Sequence, residues 1–495
     1  MMSSRLPLEP EDLDHFLVKT RDSIPFANIH ANPFFYISKP TEANLSKYKF
    51  LKPDSAVGFI FDLMVFVPTI LLQLFLSIII SLFFSKEYKN RPMKDLSHCK
   101  YLFISHFTHA QDVHKDDIFY GKVSRNSNCF VFYLNHTRVR SAKIVKRFKN
   151  AGKENIQVNS KSLKLIPLIL LQVHQIRISS WIFIRAISDR TLTISRRRVL
   201  IRAAISQHAR STIANLVLKN RLKNQLLITK PEFVVITVEG HAYEAMIIKL
   251  IKEFFQEIRI IGYQHAPIVP SQYNVFRNVS GLRPKDFFFT SGESIKELGL
   301  SKFHKCKVAT LGSPKSRDFV FEEKNSSKLN LLFAPEGTRN SILQFIDLLN
   351  DLSPLLQDNL LILRLHPALS CFDKKMVNRK LLRIQNIQLS RLTLEEDLRR
   401  AHLLFFESSA IAIEGLAFGV VPVHIEFRND QSLNPLMFTK LDRISLQLKD
   451  VADFIRNFNM KINQDEDFQR DCYAHFSEYY ANLQDIDSII SQANF

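Results

Sequence analysis

An α/β fold built on two parallel sheets is what this 495-residue sequence predicts, and three observations predict it. Short apolar runs repeatedly end in polar clusters and then enter helical patterns; 233–238 leads into Glu239-Gly240-His241, and 403–406 into Glu407-Ser408-Ser409. Runs that are apolar throughout, without alternation, are those of strands buried on both faces, which is the habit of parallel sheets. The twelve glycines are the second observation. Nine follow residue 239, and five of those (Gly240, Gly262, Gly292, Gly312, Gly337) stand at or just beyond the end of an apolar run, where a backbone must turn sharply or approach a ligand. The third is length, which exceeds what one hydrophobic core serves.

Taken in order, residues 1–98 form an N-terminal extension. Its opening, acidic at Glu9, Glu11, Asp12 and Asp14, does not read as a signal peptide. Within it, 63–84 holds no charge, begins after Asp62 and is followed by Lys86, Lys89 and Arg91. Twenty-two such residues are enough to span a bilayer as a helix, or to form a buried or interfacial one. Residues 99–305 read as a first Rossmann-like domain with a basic helical insertion, where Arg196-Arg197-Arg198 and Arg202 suggest a face on anionic lipid. Residues 306–450 read as a second such domain, and 451–495 as amphipathic helices packing back.

The net charge of +19 calls for an anionic partner, a membrane surface or a nucleotide-linked substrate. Nucleic acid is disfavoured, because the chain has no RNA-binding signature, zinc spacing or aromatic-basic platform. Five scattered cysteines without a CxxC spacing predict free thiols in a reducing compartment and no zinc site.

In such a fold the ligand lies at the carboxyl ends of the strands. In the first half these ends carry Ser105-His106-Phe107-Thr108-His109, Asn135-His136-Thr137-Arg138, Glu239-Gly240-His241 and Gln264-His265, with Glu244 on the helix that follows. His241, Glu244, Gln264 and His265 are the acceptor or cleft candidates. In the second half the ends carry Gly312-Ser313, Glu336-Gly337-Thr338, His366-Pro367 and Ser408-Ser409, the nucleotide-binding candidates. Ser408 and Ser409 stand where hydroxyls cap a helix, whose free N–H groups suit a phosphate. Each polar end is also readable as a plain turn or cap.

In that order, Glu239-Gly240, His366-Pro367 and Ser408-Ser409 resemble three short motifs of bacterial sialyltransferases and related CMP-sugar-using enzymes. The segments VEGHAYE, IGYQHAPIVPSQY and SSAIAIEGLAFGVVPV are similar to those of bacterial surface-carbohydrate biosynthesis proteins. The likeness covers about 233–425, and it departs at Val238, where the family often has a second acidic residue. It implies the glycosyltransferase B architecture, two Rossmann-like domains facing a cleft. It implies that Glu239 is the general base on the acceptor hydroxyl, that His366 binds the nucleotide phosphate and assists its departure, and that Ser408 and Ser409 hold the same phosphate. Glu336 with Thr338 would read the base or ribose, and Glu414 is a ribose candidate.

The implied reaction moves a CMP-activated acidic sugar, sialic acid-like or Kdo-like, to a surface polysaccharide or lipid-linked glycan, with inversion, without metal and with no cofactor beyond the donor. Such chemistry needs a base beside the acceptor and a clamp on the leaving phosphate. The alternatives are a CDP-glycerol-type phosphotransferase, a transferase using a UDP- or GDP-sugar, and a non-catalytic membrane-associated assembly protein. The expected location is cytoplasmic, at the inner face of the cell membrane.

Overall fold

A computed structural model of the chain describes residues 10–36, 56–84 and 99–493, except 109–110, 126–127, 138, 140, 154, 160–164, 269–272, 303–304, 325–327, 367–368, 370, 383, 385, 428–433, 439–443, 460–461 and 464. His109, Arg138 and Pro367 therefore lie outside the described residues.

The chain forms two compact units. The first comprises Met1–Gln264, Gln272–Phe289 and Lys302–Val308, and the second His265–Ser271, Thr290–Ser301 and Ala309–Phe495. Each is built on a parallel-stranded sheet, as the apolar runs predict. The first sheet uses β1 (Tyr101–Phe107), β2 (Cys129–Asn135), β3 (Ile156–Val158), β4 (Phe233–Thr237), β5 (Arg259–Gln264), β6 (Phe287–Thr290) and β7 (Lys307–Thr310). Their order is β3-β2-β1-β4-β5-β6-β7, and β1 pairs in parallel with both β2 and β4. Every residue of β1, β2, β4 and β6 is buried, so both faces of the sheet are covered. Tyr101 and Phe233 stack across β1 and β4 at 5.2 Å, and each large side chain buried this way contributes about 1.5–3 kcal/mol.

The second sheet uses β8 (Asn330–Ala334), β9 (Leu360–Leu363), β10 (Ile387–Leu389), β11 (Leu403–Phe406), β12 (Val421–Glu426) and β13 (Ile444–Gln447), in the order β10-β9-β8-β11-β12-β13. Phe333 and Phe405 stack across β8 and β11 at 4.7 Å. In both sheets the first strand lies inside and the chain moves outward one way, returns, and moves outward the other way. Such a reversal leaves a crevice at the carboxyl ends of the two strands where it happens. These strands are β1 and β4 in the first sheet and β8 and β11 in the second.

The N-terminal apolar segment is one helix, Ala56–Phe84, which starts seven residues before the expected 63 and passes through Pro68. Asp62 does not mark its start. It sits inside the helix, buried, and pairs with Arg198 at 2.7 Å and Arg202 at 3.2 Å on the helix Ile194–Ser206. A Cβ on Gly58 would meet the Arg198 guanidinium at 2.5 Å, so glycine there gives that side chain its room. Arg197 donates to the carbonyls of Ile187, Asp189 and Leu192 at the end of the helix Leu165–Ser188, and Arg196 lies over the Phe16 ring at 5.3 Å. The basic cluster expected to face lipid is thus largely used inside the fold.

The C-terminal helices Glu466–Tyr479 and Ile486–Ala493 belong to the second unit. Ser313 N–H donates to the Ala481 carbonyl at 2.9 Å, and Gln469 donates to the carbonyls of Glu322 and Asn463.

Candidate functional site

At the β1/β4 crevice the chain leaves β4 through Glu239-Gly240-His241 and enters the helix Ala242–Phe254. Gly240 has φ +90°, a conformation that side chains with a Cβ rarely adopt. That turn aims three successive N–H groups at one carboxylate. The N–H groups of Glu239, Gly240 and His241 donate to Glu244 at 2.8, 2.9 and 3.0 Å, and the Asn278 amide adds a fourth bond at 2.8 Å. Glu244, expected to face an acceptor, is fully buried and clasps the loop instead. Burial raises its pKa, outweighing His241 and the donors around it. Its position three residues after the N-cap His241 is the spacing of a capping box, a signal present in the sequence.

The loop presents Glu239 and His241 outward, their side chains 30% and 46% exposed, with His241 Nε2 3.2 Å from Glu239 Oε2. Burial alone would lower the pKa of His241; the hydrogen bond it donates to Glu239 and the charges of Glu244 and Glu239 overcome it and push it up to about 9. Solvent at the ring screens part of that attraction. Beside the pair runs a chain of polar groups that draws in residues not singled out as site candidates. His136, exposed at the end of β2, lies with Nε2 2.7 Å from Nδ1 of the buried His106 on β1. His106 Nε2 is 2.9 Å from the Tyr243 hydroxyl and 3.1 Å from that of Thr237, and Tyr243 donates to Glu244 at 3.3 Å. One donor direction satisfies every link, from His136 through His106 and Tyr243 to Glu244. Gln264 ends β5, buried; His265 follows it and groups with the second unit.

At the β8/β11 crevice, β8 runs into Glu336-Gly337-Thr338 and then the helix Arg339–Leu352, where the Thr338 hydroxyl accepts from Ser341 N–H at 3.2 Å as the N-cap. A Cβ on Gly337 would stand 2.9 Å from His366 Nδ1, so the imidazole beyond β9 lies directly against this glycine. His366 is exposed, yet desolvation by its surroundings holds its pKa below the ordinary imidazole value, against the upward pull of Glu336. At neutral pH it is a neutral ring that offers hydrogen bonds and no charge.

Ser408 and Ser409 are half-buried at the end of β11. The expected serine-capped helix is absent in that form. The helix is the short Ile411–Leu416, its N-cap is Ala410, and Ser409 Oγ accepts from Ile411 N–H at 3.4 Å. The apolar side chains of this segment are buried, and Gly419, at φ +58°, turns the chain. Gly312 and Ser313 also differ from expectation. Gly312 has φ +87° and a Cβ there would meet the Asn482 carbonyl oxygen at 2.2 Å, while Ser313 is buried with its hydroxyl accepting from Lys315 N–H at 3.2 Å. Both pack against the C-terminal segment. Glu414 pairs with Lys315 at 2.7 Å, and the Lys315 ammonium lies 5.4 Å from the Tyr480 ring centre. Among the described residues, no group of three His, Cys, Asp or Glu is arranged to hold a metal ion.

No protein-family model matches the sequence, and no curated protein matches it. Solved structures of similar layout include a glycosyltransferase, SnogD from Streptomyces nogalater, at 12% identity over 80% of this chain and 98% of that one, with a TM-score of 0.44. A UDP-GlcNAc 2-epimerase from Neisseria meningitidis, bound to UDP-GlcNAc, is 10% identical over 80% and 99%, with a TM-score of 0.42. The glycosyltransferase SsfS6 of Streptomyces sp. SF2575 is 11% identical over 80% and 100%, with a TM-score of 0.40. At these values the likeness is a loose one, and the chemistry rests on this chain's own residues, gathered at the strand ends of two parallel-sheet α/β units.

Proposed function

We propose that the protein is a nucleotide-sugar-dependent glycosyltransferase of the glycosyltransferase B type. The observation that carries this reading is the coincidence of motif and topology. Glu239-Gly240 falls at the switch point of the first sheet; Glu336–Thr338 and Ser408-Ser409 fall at that of the second, with His366 against Gly337. In this reading Glu239 takes the proton from the acceptor hydroxyl as the sugar's anomeric carbon develops positive charge. His241 holds the carboxylate in place, and the Glu244 clasp fixes both. His366, Ser408 and Ser409 donate hydrogen bonds to the phosphate that leaves.

For the donor, the motif resemblance supports a CMP-activated acidic sugar. A second reading, a UDP- or GDP-sugar, is favoured by one feature: the helix starting at the crevice is the 14-residue Arg339–Leu352, not the six-residue Ile411–Leu416. A long helix start behind Gly337 suits a diphosphate. The acceptor is a surface polysaccharide or lipid-linked glycan, and the reaction is metal-independent. Association with the inner face of the membrane is supported by Val57, Met64, Leu71, Phe75, Leu170 and Val173, all more than half exposed on two apolar helices that pack together.

Calorimetric titration with CMP, CDP, UDP and GDP tests the reading. CMP preference supports the first donor and UDP or GDP the second, with His366→Ala weakening the bound nucleotide about tenfold. CDP preference points to the phosphotransferase alternative. Glu239→Gln should keep nucleotide affinity and lose turnover. Binding of no nucleotide at all would sink the proposal, and loss of turnover with EDTA, restored by Mg²⁺, would overturn its metal independence.

A further inference from the structure

Within the first unit, the N-terminal elements and the outer faces of two helices line a half-open cavity of about 340 Å³. Arg21 reaches it from the helix Pro10–Asp22, His30 and Tyr36 from the two short 3-10 turns that follow, Lys249 and Lys252 from Ala242–Phe254, and Arg277 from Tyr273–Ser280. Four of these six side chains are cationic. The lining holds one carboxylate, Glu253, which stands 3.8 Å from Lys249.

The hydrogen bonds fix which way the donors point. Lys249 Nζ lies 3.0 Å from His30 Nε2, and an ammonium only donates, so that nitrogen accepts. The ring proton is therefore on Nδ1, and it donates to the Tyr36 hydroxyl oxygen at 2.7 Å. Tyr36 is left with its own O–H to give, while the Arg21 guanidinium, paired with Asp22 at 2.8 Å, lies 5.2 Å from its ring centre. Burial, with Lys249 and Arg21 nearby, lowers the pKa of His30 to about 3, so the ring stays neutral and this direction holds. Lys252 reaches the rim, donating to the Gly281 carbonyl at 3.0 Å. Cations and a donating hydroxyl converging on one cavity suit a ligand with several charged acceptor oxygens.

We propose that this cavity binds a phosphate group, at a site separate from the donor nucleotide, through Arg21, Tyr36, Lys252 and Arg277. Two sources share that chemistry, a soluble phosphate ester and the headgroup of an anionic lipid. The second has structural support, because Tyr36 packs in the same apolar cluster as Phe66 of the helix Ala56–Phe84, whose outer face is exposed.

The test titrates the full chain with inorganic phosphate and, separately, with phosphatidate vesicles against phosphatidylcholine vesicles, all at one ionic strength. Lys252→Gln and Arg277→Gln should each weaken at least one probe by about tenfold. Lys296→Gln, a surface lysine paired with Glu293, should change neither. Lys252 is at the exposed rim, so its variant keeps the test open should Arg277→Gln fail to fold. A phosphate response alone assigns the soluble source, and a phosphatidate response the lipid. Binding of neither probe, or equal weakening by Lys296→Gln, would overturn the proposal. CMP and UDP titrations of Lys252→Gln should match the parent chain, so failure of the glycosyltransferase reading leaves this one standing.

Discussion

Replacing Glu244 by Gln tests whether the candidate base is held by one buried carboxylate. In the parent chain Oε1 accepts from Glu239 N–H at 2.8 Å and the Tyr243 hydroxyl at 3.3 Å, while Oε2 accepts from Gly240, His241 and Asn278. An amide keeps one oxygen for the second group and turns an NH₂ toward the first. Two bonds to a charged acceptor are lost, each worth about 1.5–3 kcal/mol, and removing a buried charge offsets part of that. A net local loss of about 3 kcal/mol corresponds to a roughly hundredfold gain in opening. Amide hydrogen exchange at Glu239, Gly240 and His241 reads this directly, and those three protons should exchange about a hundredfold faster while β4 keeps its protection. Exchange within about threefold of the parent in a folded variant would refute the clasp. NMR titration adds an independent check: the pKa of His241 should fall, since the Glu244 charge helps to raise it.

Three further outcomes follow from the same geometry. Asp62→Ala strands the buried Arg198 and should destabilise the chain by about 3–5 kcal/mol in denaturant melts, whereas an Asp62→Leu/Arg198→Met pair should recover most of it. Because the folded pKa of His241 is raised, the Glu239–His241 pair adds stability that is complete below about pH 6.5 and is lost as the pH rises through about 9. Glu239→Gln should flatten that part of the stability profile, and an unchanged slope would argue against the pair. Ser313→Ala should cost about 1 kcal/mol of stability and leave nucleotide affinity within about twofold, since its hydroxyl serves Lys315 N–H.

Both sheets were legible in the sequence because their strands are buried on two faces and read as unbroken apolar runs such as Phe233-Val234-Val235-Ile236. The polar residues that end them were legible for the same reason. Which of those residues meet was not, because His106 finds His136 and Tyr243 only through β1 pairing with β2 and β4, across 30 and 137 residues. Local roles also escaped where one residue type serves two ends. A glutamate at the third position of a helix reads as a cleft acid or as a cap, and the burial that decides for Glu244 is a property of the packed helix. Ser408-Ser409 reads as a cap because hydroxyls before an apolar helix usually are one; here the helix begins at Ile411 and its N-cap is Ala410. Arg196-Arg197-Arg198 reads as a surface because the partner of Arg198, Asp62, lies 136 residues away on another helix.

The way the chain divides has a practical side. Residues 265–271 and 290–301 come before the last strand of the first sheet yet belong to the second unit. There Ile268 N–H donates to the Tyr479 hydroxyl, Ser291 Oγ to the Tyr479 carbonyl, and Ala481 N–H returns to the Ser291 carbonyl. A fragment cut at residue 306 would carry the C-terminal helices without the stretches they are sewn to, and would expose Tyr479 and Tyr480, now fully buried. The second unit is thus made from three separate stretches of chain, and a single cut cannot excise it whole.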